Sequence, residues 1–295
     1  MSEVKQRQRT SRIKRPDQPR HMALTDRDKE VIKAVNDFRV MRQDQIQRLF
    51  FPSRNTAQVR LQLLWQHGFL QRSFLPVVGG VQTSPILYSI DEQGAELLQA
   101  EYDYDKTALR GSRKQAFDQK FIEHTLGLSE IRVAAELACK KHGYSLKTWA
   151  DEKALKADYD RVEVRGKLLA VLPDAYFVVS IGAGDVHFFA EFDTGTEDLK
   201  FIRQKFLAYW AYYMSGKCKT RYGTNLIRVL TITTTDNTEN KRSRLNSLRQ
   251  IAGERPEHSW FWFSGLPQLQ ACDFLTDPVW LMPTDSDRKR LLAFD

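Results

Sequence analysis

The sequence predicts an α+β chain of two domains. Its 295 residues exceed the roughly 100 to 150 residues of a typical single domain. Apolar residues recur at helical spacing up to residue 67 and at strand spacing from Phe69. Beyond residue 116, helical and strand patterns alternate, as in a central sheet covered by helices. We therefore expect a basic tail over 1–22, a first domain over 23–101, a linker over 102–115 and a second domain over 116–295.

The tail carries much of the positive charge of the chain, whose net charge is +8. It is polar, contains two prolines and offers almost nothing to bury, so we expect it to be disordered. A basic arm of this kind binds polyanions by releasing counterions, or it keeps the chain soluble. Its basic residues are Lys5, Arg7, Arg9, Arg12, Lys14, Arg15 and Arg20, against Glu3 and Asp17.

Composition excludes several classes of protein. No run of about 18 apolar residues is present, so we expect no transmembrane helix and no membrane partner. The basic N-terminus lacks the apolar core of a secretory signal, and three scattered cysteines do not form a disulfide framework. These features favour a reducing cytoplasm as the location. No Cys/His spacing predicts zinc, and the isolated His124 is expected to be a surface or packing residue.

Three short helices open the first domain. Thr25 is a good N-cap, with Asp28 three residues on, for a helix with apolar residues at Val31, Ile32, Val35 and Phe38. A second helix spans about 43–50 and stops before Pro52. Ser53 caps a third over about 54–67, in which Val59, Leu63 and Leu64 are expected to face the core. Its exposed residues would be Arg54, Asn55, Gln58 and Arg60, whose side-chain types reach base edges and phosphates.

A strand pattern follows these helices. Strands over 69–78 and 86–90, joined at Gly79-Gly80, form a predicted hairpin, and a fourth helix runs through Leu98. This layout resembles the winged helix-turn-helix superfamily. The resemblance implies double-stranded DNA as a partner, contacts from Arg72 in the wing with phosphates or with a minor groove, and a homodimer that reads a two-fold site. The alternative is a small helical domain used for protein contacts.

The second domain is predicted to contain three acids on two neighbouring strands. Strands over 175–181 and 186–193 are joined by a turn, and Asp174 precedes the first of them. Alternation along a strand places Glu191 and Asp193 on one face, and pairing could bring Asp174 beside them. Carboxylates clustered on rigid strands suit Mg²⁺ in a phosphodiester-cleaving enzyme. Alternatively, these acids are strand-end residues that face water.

The order of elements around these acids predicts a mixed central sheet. A helix over about 117–142 and a strand over 144–150 precede the acidic hairpin. A helix over 196–214, a strand over 226–235, a helix ending near 252 and a strand over 259–263 follow it. This order resembles the α/β restriction-endonuclease-like core with its PD-(D/E)xK signature.

The resemblance implies metal ligation by Asp174 and Glu191 and an assisting acid at Glu123 or Glu130. The signature has a lysine where this chain has Asp193. Lys200 or Lys205 on the next helix could be a migrated lysine, or could form a salt bridge back to the acids. The implied catalytic set is therefore Asp174, Glu191, Asp193 and Lys205, with Mg²⁺ as the cofactor.

The chain as a whole resembles the replication-relaxation family of bacterial plasmids and other mobile elements. The resemblance covers about 24–265 and rests on Leu24-Thr25-Asp26-Arg27-Asp28, the 49–53 segment, Pro173-Asp174, the 191–197 segment, Lys205 and Tyr209. It implies plasmid or mobile-element DNA as the partner. The leading prediction is a DNA-binding protein with the second domain as a scaffold or dimerisation unit. A Mg²⁺-dependent endonuclease or nickase, and an adaptor for replication or transposition proteins, stay open as alternatives, and so does the question of whether the chain is an enzyme.

Overall fold

The computed structural model describes residues 13–75, 84–104, 119–234, 243–256 and 258–292. The chain divides into two compact units, 1–122 and 123–295. The described residues form helices and a mixed five-stranded sheet, which confirms the predicted α+β class. The finer boundaries of tail, linker and domains stay predictions. None of the helices in the described ranges has the length and apolarity that crossing a membrane requires.

In the described ranges, the first unit contains four helices and a small antiparallel sheet. Its elements are α1 (Asp26–Asp37), β1 (Met41–Arg42), α2 (Gln43–Phe50), α3 (Arg54–Gln66), β2 (Leu70–Phe74), β3 (Ile86–Ile90) and α4 (Glu92–Tyr102). The predicted hairpin is present as β2 and β3, and β1 pairs with the other side of β3. A two-residue strand such as β1 has no alternation that a sequence could reveal. The predicted Gly79-Gly80 tip lies outside the described residues.

Helix α1 begins at the predicted capping box. The Thr25 backbone N–H donates to Asp28 Oδ2 over 2.7 Å, and the Asp28 N–H donates back to Thr25 Oγ1. The bonds satisfy two backbone donors that the first helical turn would otherwise leave unpaired. The four apolar residues predicted to face the core, Val31, Ile32, Val35 and Phe38, are all buried.

The prediction for the buried face of α3 was partly wrong. Ala57, Leu61, Leu64 and Trp65 form the buried stripe, whereas Val59 is 62% exposed and Leu63 is half-buried. At 3.6 residues per turn, Val59 lies about 200° around the helix axis from Ala57. It therefore shares the solvent side of α3 with the polar residues.

The described part of the tail contacts other residues of the first unit. The Arg15 guanidinium donates to the Leu70 carbonyl over 3.0 Å and forms a 2.5 Å ion pair with Asp91. The Arg20 carbonyl lies 2.8 Å from His67 Nε2. Arg15 and Arg20 in this part of the tail thus have specific partners in the first unit, which the expectation of a disordered tail did not include. Residues 1–12 lie outside the described residues.

The second unit is built on a five-stranded sheet with the order β10-β9-β8-β7-β4. Its strands are β4 (Ser145–Asp151), β5 (Asp160–Val164), β6 (Lys167–Val171), β7 (Ala175–Ser180), β8 (Asp185–Asp193), β9 (Ile227–Thr233) and β10 (Phe261–Gly265). Strands β8, β9 and β10 are parallel, and β7 and β4 add to them antiparallel. Strands β5 and β6 form a separate hairpin.

Helices cover both faces of this sheet. They are α5 (Gln119–His142), α6 (Glu152–Ala157), α7 (Leu199–Met214), α8 (Lys217–Tyr222), α9 (Arg244–Ala252) and α10 (Leu266–Ala271). One face packs against α5 and the C-terminal segment, and the other against α7 and α9. The sequence did not predict α6, α8, α10 or the β5–β6 hairpin. Each of these helices and strands is only five or six residues long and too short to show a clear period.

Strand β8 alternates between the two faces of the sheet. Phe188, Ala190 and Phe192 pack on the α5 side, whereas Phe189 packs on the α7 side. Glu191 and Asp193 therefore share the α7 and α9 face, as their spacing predicted.

Candidate functional site

The exposed side of α3 presents polar side chains around one apolar residue. Arg54, Asn55 and Gln58 are exposed in its N-terminal half, and Val59 projects beside them. Ser53 accepts the Thr56 N–H over 3.2 Å, which fixes the start of the helix. Arg54 forms no ion pair with any part of the chain that the structure describes. Its charge is available to a partner.

A polar groove of about 500 Å³ adjoins this face. It is lined by Gln43, Asp44 and Gln47 of α2, Arg54 and Gln58 of α3, and Ser84, Pro85 and Ile86 at the start of β3. The charge of Asp44 is compensated, because both its carboxylate oxygens accept from the Arg42 guanidinium over 2.9 Å. The groove thus combines amide donors and a free arginine with little uncompensated negative charge.

Arg60 does not belong to this face, which corrects its predicted role. Its Nε donates to Asp28 Oδ1 over 2.6 Å, and its Nη2 donates to Asp28 Oδ2 and to the Ala23 carbonyl. Asp28 is fully buried. Arg60 therefore neutralises a buried acid and joins α3 to the start of α1.

Arg72 is also engaged within the first unit. Its guanidinium lies 4.5 Å from the centre of the Trp65 ring and 5.4 Å from that of Tyr88, and its Nε donates to the Tyr88 hydroxyl over 3.2 Å. Packing between two rings restricts its movement. The structure therefore gives no support to its predicted contact with phosphate, because the guanidinium already contacts Trp65 and Tyr88.

In the second unit, the structure brings Asp174, Glu191 and Lys205 together. Ala175 pairs with Ala190, so Asp174 lies beside Glu191 at the end of the β7–β8 ladder. Lys205 lies on the sheet-facing side of α7, in the second turn of the helix, and its ammonium extends between them. Lys205 Nζ lies 3.4 Å from Asp174 Oδ1 and donates to Glu191 Oε2.

The other carboxylate oxygens of this cluster also have donors. Asp174 Oδ2 accepts from His124 Nε2 over 3.0 Å and from the Phe192 backbone N–H over 2.9 Å. Glu191 Oε1 accepts from the Tyr209 hydroxyl. We call Asp174, Glu191, Lys205, His124 and Tyr209 the lysine–acid cluster. All four of its carboxylate oxygens accept hydrogen bonds from the protein.

Burial and charge act against each other in this cluster. Burial raises the pKa of Asp174, but the Lys205 charge and the His124 hydrogen bond outweigh it and bring the pKa below its usual range. Burial and the Asp174 charge raise the pKa of Glu191 well above its usual value. Burial lowers the pKa of Lys205, but the two carboxylates reverse this and raise it. Lys205 therefore carries its charge throughout the neutral range.

Asp193 does not join the lysine–acid cluster. Its two oxygens accept from Arg244 Nη2 and Nε of α9 over 2.7 and 2.8 Å. The expectation of three carboxylates in one patch is therefore wrong. Asp193 is two residues further along β8 than Glu191, so it contacts α9 and not α7. Of the assisting acids considered, Glu130 is fully buried and Glu123 is exposed.

The comparisons with known proteins place the chain in a family. The replication-relaxation family model matches residues 32–230, which is 199 of the 295 residues. The chain belongs to the replication-relaxation family. This membership fits a DNA-related role. No curated protein matches the chain.

One solved structure that resembles this replication-relaxation protein is the restriction endonuclease FokI. The TM-score is 0.29 at 11% sequence identity, and the match covers 85% of this chain and 44% of that chain. This protein thus spans less than half the length of FokI. A TM-score this low supports no inference about the chain.

The lysine–acid cluster of this replication-relaxation protein does not fit the implied Mg²⁺. Magnesium needs near-octahedral oxygen ligands, with free lone pairs aimed at one point. In the described ranges, no group of three or more His, Cys, Asp or Glu side chains is placed to hold a metal ion. Asp174 and Glu191 instead aim one oxygen each at the Lys205 ammonium, which fills the position between them.

The roles of three residues at the sites of this replication-relaxation protein were not predicted from its sequence. His124 was expected to be a surface or packing residue, yet it donates to Asp174. Tyr209 entered the sequence analysis only through the family resemblance, with no role assigned, yet its hydroxyl donates to Glu191. Its spacing of four from Lys205 places both on one face of α7, which is the signal that could have revealed it. Val59 carried no signal, because a valine on a helix is normally buried.

Proposed function

We propose that this replication-relaxation protein binds double-stranded DNA of a plasmid or other mobile element, with α3 in the major groove. The observation that carries this proposal is the exposed side of α3. Arginine and amide side chains pair with the edges of guanine and adenine, and an apolar side chain such as Val59 suits the methyl group of thymine. Val59 is 62% exposed on the same side of α3 as these residues, so it is available for such a contact.

The polar groove supports a phosphate contact next to this reading helix. It lies between the N-terminal turns of α2 and α3 and the start of β3. The partial positive charge of a helix N-terminus favours a phosphate there. Arg54 lines the groove and lies on the exposed side of α3, so it can contact a phosphate or a base. Arg60 and Arg72 have no part in the proposed interface.

The second unit acts in this proposal as a scaffold or dimerisation unit. A homodimer would place two α3 helices one turn of DNA apart on a two-fold site, as helix-turn-helix dimers do. A single small reader has limited affinity, so a second copy would supply the specificity that a replication or regulatory site requires.

The test begins with the full-length protein and randomised duplexes of about 30 base pairs, long enough for two half-sites one helical turn apart. Selected duplexes are then titrated in gel-shift assays at several salt concentrations. Arg54→Ala and Gln58→Ala should each raise the Kd by about 5- to 150-fold, the equivalent of one lost base contact. Arg290→Ala is the matched control, since Arg290 is an exposed arginine of the second unit. It should leave the Kd within about twofold, as expected of an exposed side chain outside the interface.

Two outcomes would contradict the proposal. Failure to select any duplex would leave a protein-contact module, such as an adaptor of replication or transposition proteins. An Arg54→Ala Kd no different from that of Arg290→Ala would remove α3 from the interface. The same gels, run with Mg²⁺ or EDTA on supercoiled plasmid, report cleavage. Metal-dependent cutting that disappears in Asp174→Ala would make the protein an endonuclease or nickase.

A further inference from the structure

In the lysine–acid cluster, the Lys205 ammonium lies where the carboxylates of Asp174 and Glu191 converge. The side chains of Asp174 and Glu191 are 14% and 7% exposed, and that of Lys205 is 16% exposed. Two acids this close to each other in a poorly solvated site repel, and a cation between them removes that repulsion. In this protein that cation is the side-chain ammonium of Lys205 on α7.

We propose that the Lys205 ammonium permanently takes the place of a divalent cation, so that the second unit is metal-independent, and that removing this ammonium uncovers a latent divalent-cation site. The inference concerns the second unit and does not depend on DNA binding by the first. It follows from the observation that the carboxylate oxygens of Asp174 and Glu191 already accept hydrogen bonds from the protein and are not free to bind Mg²⁺.

The positions of the oxygens support a latent site. Asp174 Oδ1 and Glu191 Oε2 both face the ammonium, so truncation of Lys205 leaves two carboxyl oxygens directed at the space that the ammonium occupied, where a divalent cation can displace any proton on Glu191. This space is partly open to solvent, so water can complete the coordination of an entering ion. Mn²⁺ is the probe, because it accepts carboxylate and water ligands and is paramagnetic.

Three hydrogen bonds that do not involve Lys205 remain on the pair after truncation. His124 and the Phe192 N–H hold Asp174, and Tyr209 holds Glu191. None of these donors depends on Lys205. These donors therefore restrain both carboxyl groups when the ammonium is lost, which distinguishes this cluster from an arbitrary pair of acids.

The experiment compares thermal unfolding of full-length wild type, Lys205→Ala and Arg244→Ala with Mn²⁺ or with EDTA. Lys205→Ala should unfold at a lower temperature in EDTA and should regain part of the loss as Mn²⁺ rises, because an ion that binds only the folded state stabilises it. Arg244→Ala is the matched control. It also leaves a buried acid without its cation, but it frees only one carboxylate, Asp193, and should show no such gain.

The double variant Lys205→Ala/Asp174→Asn should lose the Mn²⁺ gain. A gain of equal size in Arg244→Ala or in the double variant would overturn the proposal, and so would a Lys205→Ala protein that ignores Mn²⁺.

A second measurement applies to the wild type, so that the proposal remains testable if Lys205→Ala does not fold. The electron paramagnetic resonance signal of free Mn²⁺ should be the same with wild type as with Asp174→Asn. Mn²⁺ binding by the wild type that disappears in Asp174→Asn would show that Lys205 yields its position to a metal, and would refute the proposal.

Discussion

Arg60→Ala should destabilise the first unit without weakening DNA binding directly. The variant leaves fully buried Asp28 without its guanidinium partner. Breaking a buried ion pair from one side costs about 3 to 5 kcal/mol. Two donors from Thr25 remain on the carboxylate, the backbone N–H at 2.7 Å and the hydroxyl at 2.6 Å. We therefore expect a loss near the lower limit, about 3 kcal/mol.

Hydrogen exchange read by mass spectrometry locates this loss. Peptides from α1 and α3 should exchange faster in Arg60→Ala, whereas peptides from α5 should be unchanged, because opening free energies are local. Arg54→Ala is the control, since an exposed side chain without a partner should change stability by less than about 0.5 kcal/mol. Arg60→Ala should also cost much less in an Asp28→Asn background, where no buried charge is left unpaired.

The pH dependence of the Arg60 effect has a defined sign. Burial raises the pKa of Asp28, but Arg60 and Thr25 outweigh it and lower the pKa below its usual value. The stabilisation is therefore complete above the unfolded pKa of about 3.9 and is lost as the pH falls through the lower folded pKa. The difference between wild type and Arg60→Ala should shrink in acid. An Arg60→Ala protein with wild-type exchange and weakened DNA binding would refute the structural role.

Two further substitutions test packing in each unit. Gly127→Ala should lower the midpoint of thermal unfolding, because the added Cβ would overlap the Phe192 ring, and overpacking costs about 1 to 3 kcal/mol; an unchanged midpoint would contradict the close contact between α5 and β8. Arg15→Ala should destabilise the first unit by about 0.5 to 1.5 kcal/mol in urea unfolding, because hydrogen bonds to Leu70 and Asp91 are lost; no change would mean that the described part of the tail is not anchored in solution.

Local patterns in the sequence were enough to locate the regular elements. The capping box at Thr25 and the apolar spacing behind it predicted α1, and α2 has the predicted bounds of 43–50. The same reasoning misplaced Val59, because it assumed that apolar residues are buried. Only the positions of the neighbouring elements show which side of α3 they cover, and a sequence does not contain those positions in readable form.

For the acids of β8, the sequence likewise predicted the face of the sheet on which they lie but not the residues with which they pair. Strand alternation correctly placed Glu191 and Asp193 on one face. The two acids nevertheless have different partners, Lys205 on one helix and Arg244 on another. Arg244 lies 51 residues beyond Asp193 in the chain, and the separation of the two helices over the sheet decides the pairing. No spacing rule within β8 could have predicted it.

Only one of the three arginines predicted to contact DNA is free to do so, and this changes how the first unit is expected to bind DNA. Arg60 and Arg72 are engaged within the first unit, which leaves Arg54 as the free arginine of that set. The net charge of +8 therefore overstates the cations that α3 and its groove can offer to phosphates. Amide and apolar contacts to bases would then supply much of the specific affinity, and such contacts release no counterions. Since each phosphate contact contributes about 0.9 to the slope of log K against log salt, the affinity of the α3 interface should depend only weakly on salt. A steep dependence would point to the basic residues before residue 13 as the main phosphate contacts, and would assign recognition and affinity to different parts of the chain.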